Sequence, residues 1–196
     1  MRGWCWSSIC WTSSARFSSL YSEKKAQKAD AEFAEDGQAG EKLVSSPSTA
    51  KVMVKYGVQI SVIYTDEHLL ELRVWASNGL FAGQTEVYAD SAELTKVASV
   101  LRGFPANPSD TREYELGTFD AAYGGGGARF RFCCTDSSGH ALAEVRLRTD
   151  ARLGVGASDV ATIHIPIEGA AIDSFVEQLE RILPETGQFA LLQAAG

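Results

Sequence analysis

The sequence predicts an α+β domain in which one antiparallel sheet of six to seven strands carries two helices packed on one face. Three observations lead there. Apolar residues alternate with polar ones in successive short runs between Val58 and Glu168, the pattern of strands with one buried and one wetted side. Tight-turn sequences, Ser77-Asn78-Gly79 and Ser137-Ser138-Gly139, join neighbouring runs into hairpins. Two segments with helical spacing each follow a group of strands and stop at glycine or proline.

Composition bounds the rest. A chain of 196 residues, 45% hydrophobic and 22% charged, is long enough for one good core. The net charge of −7 and pI near 5.0 repel phosphate polyanions, so nucleic acid is not an expected partner. Cys5, Cys10, Cys133 and Cys134 lack the dense spacing of a disulfide framework, which places the chain in a reducing compartment and predicts a cytoplasmic location. No apolar run reaches the roughly 18 to 20 residues of a spanning helix, so no membrane span is expected.

Residues 1–52 differ in kind. Arg2, Arg16, the tryptophans and many serines precede the first acid, Glu23, a composition shared with organellar transit segments. Met53 is followed at once by the first alternating strand, so these residues read as a disordered segment or an extension. Residues 53–184 then form the single domain and residues 185–196 a C-terminal tail.

The elements follow in order. Val58, Ile60 and Val62 share one face of the first strand, and Leu70, Leu72, Val74 and Ala76 one face of the second. The third, Leu80 to Ala89, contains Gly83, which marks a bulge or a close approach of another backbone. Asp90 and Glu93 form a capping pair for a first helix with Leu94, Val97, Ala98 and Leu101 on one stripe, ended by Gly103 and Pro105. Four strands follow, at about Thr111 to Phe119, Ala128 to Thr135, His140 to Thr149 and Asp159 to Glu168. Cys134 joins Phe130 and Phe132 there as a core filler. The last helix, Ala170 to Leu183, places Ile172, Phe175, Val176, Leu179, Ile182 and Leu183 on one stripe before Pro184.

The polar face of that sheet is the most informative surface. It displays Glu71, Arg73 and Trp75 from one hairpin, then Glu113, Glu115, Arg129, Arg131, Glu144, Arg146, Arg148 and His164. Cross-strand pairs of opposite charge support a sheet in any protein. Arginine and tryptophan are also the residues that most often anchor partners. Arg73, Trp75, Arg129, Arg131, Arg146 and Arg148 are therefore the expected partner-binding residues. No catalytic residue, metal site or cofactor is implied: the histidines lack an i, i+4 pair, and the glycines at Tyr123 to Gly127 precede a strand, where a phosphate loop would precede a helix.

The succession LRVWASNGLFAGQTEVYAD, LRGFP, FRFCCTDSSGHALAEVRLR and IHIPIEGAAIDSFVEQLERI resembles small bacterial uncharacterised domains similar in layout to WapI-type immunity proteins. The resemblance covers Val58 to Ile182 and carries no catalytic residues. It implies a cytoplasmic, acidic protein that neutralises a protein partner by occlusion. Two alternatives stay open. One is a small-molecule-binding or enzymatic domain with a pocket near the Gly79 to Gly83 and Tyr123 to Gly127 loops and His140. The other is a self-associating structural module, a homo-oligomer.

Overall fold

The computed structural model describes residues 56–67, 69–120, 125–150 and 157–195, and among these described residues are eight strands and two helices. The expectations for residues 1–52 fall outside the described residues. The strands are β1 (Gly57–Thr65), β2 (Leu70–Ser77), β3 (Ala82–Ala89), β4 (Thr111–Gly117), β5 (Gly127–Cys134), β6 (His140–Arg148), β7 (Val160–Glu168) and β8 (Phe189–Gln193). The helices are α1 (Glu93–Leu101) and α2 (Gly169–Arg181).

The expected single sheet of six to seven strands is two antiparallel sheets of four, ordered β3-β2-β1-β8 and β4-β5-β6-β7. We refer to them as the first and second sheet. The order β1-β2-β3-α1-β4 recurs as β5-β6-β7-α2-β8, with the fourth strands exchanged: β4 pairs with β5, and β8 returns to β1. The segment expected as a tail thus supplies β8, whose Ala190 and Leu192 are fully buried.

Both sheets turn their apolar sides onto one core. Val58, Ile60, Leu72, Val74 and Val87 come from the first sheet, and Phe130, Phe132, Val145, Ile163 and Ile165 from the second. At one corner β3 runs across the ends of the second sheet's strands, as strands do where two sheets cross. Gly83 lies against Leu147 and Ile163, the Thr85 hydroxyl donates to the Arg148 carbonyl (2.7 Å), and Gly126 N–H donates to the Glu86 carbonyl (3.0 Å). A Cβ on Gly83 would sit 3.3 Å from Leu147 Cδ1, so this glycine serves a close approach. The one bulge of the first sheet lies in β1, between Val62 and Tyr64.

The helices insert the stripes Leu94, Val97, Ala98, Leu101 and Ile172, Phe175, Val176, Leu179 into the same core, and the Arg102–Glu180 ion pair joins them. Leu183, expected in the second helix, lies beyond its end and is 54% exposed. Asp90 serves the turn before α1: its carboxylate accepts from Ala92 N–H (2.7 Å), while Glu93 turns to Lys96 and to the Tyr114 hydroxyl. Gly103 takes the left-handed conformation (φ 68°) that the third position of a type II turn, Leu101 to Phe104, requires just past the helix end. Arg112 closes that end, donating to the carbonyls of Val100 (2.7 Å), Arg102 (2.7 Å) and Gly103 (3.2 Å).

Sheet edges are closed by three separate devices. At β8 the Gln178 amide donates to the Leu191 carbonyl (3.2 Å) and accepts from Leu191 N–H (2.9 Å), imitating a neighbouring strand. At β7 the carbonyls of His164 and Pro166 accept from the Asn78 side chain (3.2 Å) and Ala195 N–H (2.8 Å), and Pro166 offers no donor. At β3 the Glu86 carbonyl is met by Gly126, as above.

Candidate functional site

The outer face of the second sheet concentrates the charge. Antiparallel register sets Glu113 opposite Arg131, Arg131 opposite Glu144, and Glu144 opposite His164. Side chains of one parity share this face, so the row reads minus, plus, minus, imidazole across four strands. Arg131 Nε lies 3.2 Å from Glu113 Oε1, and His164 Nε2 lies 3.4 Å from Glu144 Oε2. The next row runs Glu115, Arg129, Arg146, Thr162, with Arg129 Nη2 2.6 Å from Glu115 Oε2.

Phe119 organises this second row. Its ring lies over Gly127, where a Cβ would come within 2.8 Å of the ring, and under two guanidinium groups: Arg129 at 4.9 Å from the ring centre and Arg146 at 5.4 Å. Such stacking holds a cation in place while leaving its N–H groups for other partners. Arg129 spends its donors on Glu115. Arg146 is exposed, and among the described residues no carboxylate lies within ion-pair distance of it.

The six residues singled out in the sequence do not share one surface. Arg129, Arg131 and Arg146 lie together on this face. Arg73 and Trp75 belong to the first sheet: Arg73 pairs with Glu86 (2.7 Å), and the half-buried Trp75 stands between Gln59 and Gln84 in the register. Arg148 is only 4% exposed, because the chain beyond β4 folds over it. Its guanidinium donates to the carbonyls of Thr118 (3.0 Å) and Gly125 (2.9 Å), which makes it a staple between β6 and that loop.

His140 lies away from Gly127. It stands beside the β5–β6 turn, with Nδ1 2.6 Å from Asp136 Oδ2, at the opposite end of the hairpin from Gly127. Seven residues of strand separate the two ends, about 23 Å. The aspartate's hydrogen bond raises the His140 pKa above its ordinary value, and the same bond lowers that of Asp136. Tyr123 and Gly124 of the loop, and His68, lie outside the described residues.

Cys134 is half-buried and is not a core filler: it ends β5, and its thiol donates to the Asp136 carbonyl (3.0 Å) of the turn. Cys133 lies 3.8 Å from the Thr111 hydroxyl on the other face. Among the described residues no three His, Cys, Asp or Glu side chains gather as a metal site, and no helix is long and apolar enough to cross a membrane.

Sequence reasoning passed over two features. Phe119, expected to end the strand that begins at Thr111, lies beyond β4, which stops at Gly117. Leu80 and Phe81, read as the start of β3, instead cap the β2–β3 hairpin and are 87% and 72% exposed. Asn78 Oδ1 accepts from both their backbone N–H groups (3.1 and 2.9 Å), while Gly79 adopts φ 89°. A pair of large apolar residues directly after Ser-Asn-Gly was the available signal.

No protein-family model, curated protein or solved structure matches the chain.

Proposed function

We propose that this protein is a non-enzymatic protein-binding domain that docks a partner on the outer face of its second sheet, occluding it as an immunity-type protein does. The observation that carries this is Arg146. It is exposed, stacked on Phe119 beside Arg129, and without a carboxylate partner among the described residues. A preorganised guanidinium in an acidic protein is suited to a carboxylate on a partner, and its rigid seat lowers the ordering cost of binding. Glu113, Arg131, Glu144 and His164 then fix register by charge complementarity more than they add affinity.

The test is capture from native extract with the full chain, followed by the variants Arg146→Glu and Arg73→Glu. A stoichiometric partner lost with Arg146→Glu and retained with Arg73→Glu supports docking on the second sheet. A partner held equally by Arg146→Glu rules that face out.

The hairpin tip favours a second reading. Leu80 and Phe81 are held outward by a turn that Asn78 fixes, so the tip is organised to enter an apolar pocket on another chain or a second copy of this one. Loss of association in Leu80→Ser/Phe81→Ser, with Arg146→Glu unaffected, would select it. A mass in solution that rises with concentration would identify the second copy.

A further inference from the structure

The edge strand β4 differs from the other three edges. Thr118 N–H donates to the Gly126 carbonyl and Cys134 N–H to the Asp110 carbonyl, so even-numbered residues of β4 direct their backbone groups to β5. Thr111, Glu113 and Glu115 therefore direct theirs away from the sheet. All three are exposed, and among the described residues nothing bonds to these outward groups.

The repeated topology shows what is missing. The buried stripe Leu94, Val97, Ala98, Leu101 of α1 matches Ile172, Phe175, Val176, Leu179 of α2 in spacing. Aligned on these stripes, Val100 takes the place of Gln178. Leu116 opposite Ala128 corresponds to Leu192 opposite Val58, so Glu115 takes the place of Leu191. In one half an amide seals the strand edge. In the other a valine stands at the equivalent helix position and has no donor or acceptor with which to seal an edge.

We propose that the outer edge of β4 is a strand-addition site for an extended segment of a partner protein with lysine or arginine at alternate positions. The inference goes beyond the face-docking reading above and stands on the open edge of β4, apart from Arg146. Backbone pairing would supply the attachment. The charge pattern selects the occupant: Glu113 and Glu115 are flanked on the inner side by Arg131 and Arg129, and a basic residue on the outer side would continue the alternation. A second copy of β4 fits poorly. Antiparallel registers centred on Glu113, or between Glu113 and Glu115, set carboxylate against carboxylate.

The test uses the full-length protein and a synthetic peptide of about seven residues with lysine and threonine alternating, against the same peptide with glutamate for lysine. Amide hydrogen exchange is read at Thr111, Glu113 and Glu115. In the free protein these amides exchange fast; saturation with the lysine peptide slows them at least about tenfold, and the glutamate peptide does not. Glu113→Pro removes an outward N–H while sparing every β4–β5 bond, and lowers peptide affinity at least about tenfold. Glu113→Gln/Glu115→Gln keeps the edge, and its weaker binding loses most of its salt dependence.

Protection of these amides in the free protein, equal binding of both peptides, or unchanged binding by Glu113→Pro each overturns the proposal. An added strand lies about 14 Å from β6, three strand spacings. Arg146→Ala therefore leaves peptide affinity within about twofold, and failure of the peptide leaves the Arg146 test intact.

Discussion

Replacing Arg112 by methionine keeps the side chain's stem against Phe104 and deletes its charge. The guanidinium sits 5.5 Å from the Phe104 ring centre, donates to three carbonyls at the end of α1, and is anchored by Asp110 Oδ2 at 2.8 Å. Hydrogen bonds from a charged donor contribute about 1.5–3 kcal/mol where the acceptor is otherwise unmet, and a cation at a helix C-terminus about 0.3–1. Water can replace the contacts at Arg102 and Gly103, whose residues are exposed, so the net loss is about 2–3 kcal/mol. For a domain of this size that corresponds to a fall in Tm of about 4–12 °C. Urea unfolding should show a lower midpoint at unchanged slope. The accompanying pH dependence has a definite sign. The Arg112 hydrogen bond, then the Ala106 N–H, holds the Asp110 carboxyl below its ordinary pKa of 3.8. A depressed folded-state pKa stabilises above the unfolded value, and that contribution disappears as pH falls through the folded one. The advantage of the native protein over Asp110→Asn should therefore be full near neutrality and shrink below about pH 4. A loss under about 0.5 kcal/mol for Arg112→Met would refute the helix-end role.

Two further outcomes follow from the geometry. Gly126→Ala would place a Cβ 2.0 Å from the Thr85 hydroxyl, 2.6 Å from the Glu86 carbonyl oxygen and 2.8 Å from that of Arg148; two of these are backbone, so a loss of about 3 kcal/mol is expected in urea unfolding, and one below about 1 would show that β3 does not press on this loop. Asp136→Asn should lower the His140 titration midpoint toward its ordinary value of 6.5 when followed by NMR. Because the native midpoint is raised, the stabilisation of the turn by this pair is present below the unfolded value and fades as pH rises through the folded one. An unmoved midpoint would show that the 2.6 Å contact does not persist in solution.

Seven of the eight strands were legible because alternation reports which side of a segment is buried, and the core residues of β1, β2, β5, β6 and β7 follow it. The same signal says nothing about which strands pair. The division into two sheets depends on β4 and β8 crossing to the other half, and no local pattern records that. β8 escaped notice because Phe189-Ala-Leu-Leu-Gln is too short to show more than two turns of the period. Parity placed Arg129, Arg131 and Arg146 on one face correctly. It placed Arg148 there too, and failed because exposure depends on what the neighbouring loop does: the carbonyls of Thr118 and Gly125 close over that guanidinium. Trp75 and Arg73 have the expected parity within a different sheet.

The exchanged fourth strands bear on function through stiffness and asymmetry. Each sheet is completed by a strand that the other half of the chain supplies, so neither half can bury its core without the other, and the faces they present are held by long-range pairing. On such a scaffold side-chain positions are set by register, as in the Glu113, Arg131, Glu144 and His164 row. The repeated topology then makes each departure from equivalence informative. Where one helix provides Gln178 to seal β8, the other provides Val100 and leaves Glu113 and Glu115 open at the edge of β4. On the first sheet Arg73 is matched by Glu86; on the second, Arg146 is set on Phe119 with no carboxylate among the described residues. Both departures fall on the second sheet, two strands apart. Neither contributes a contact that closes the fold, so both are available to a partner, and they differ in the chemistry they would accept: a carboxylate over Arg146, a basic strand beside β4.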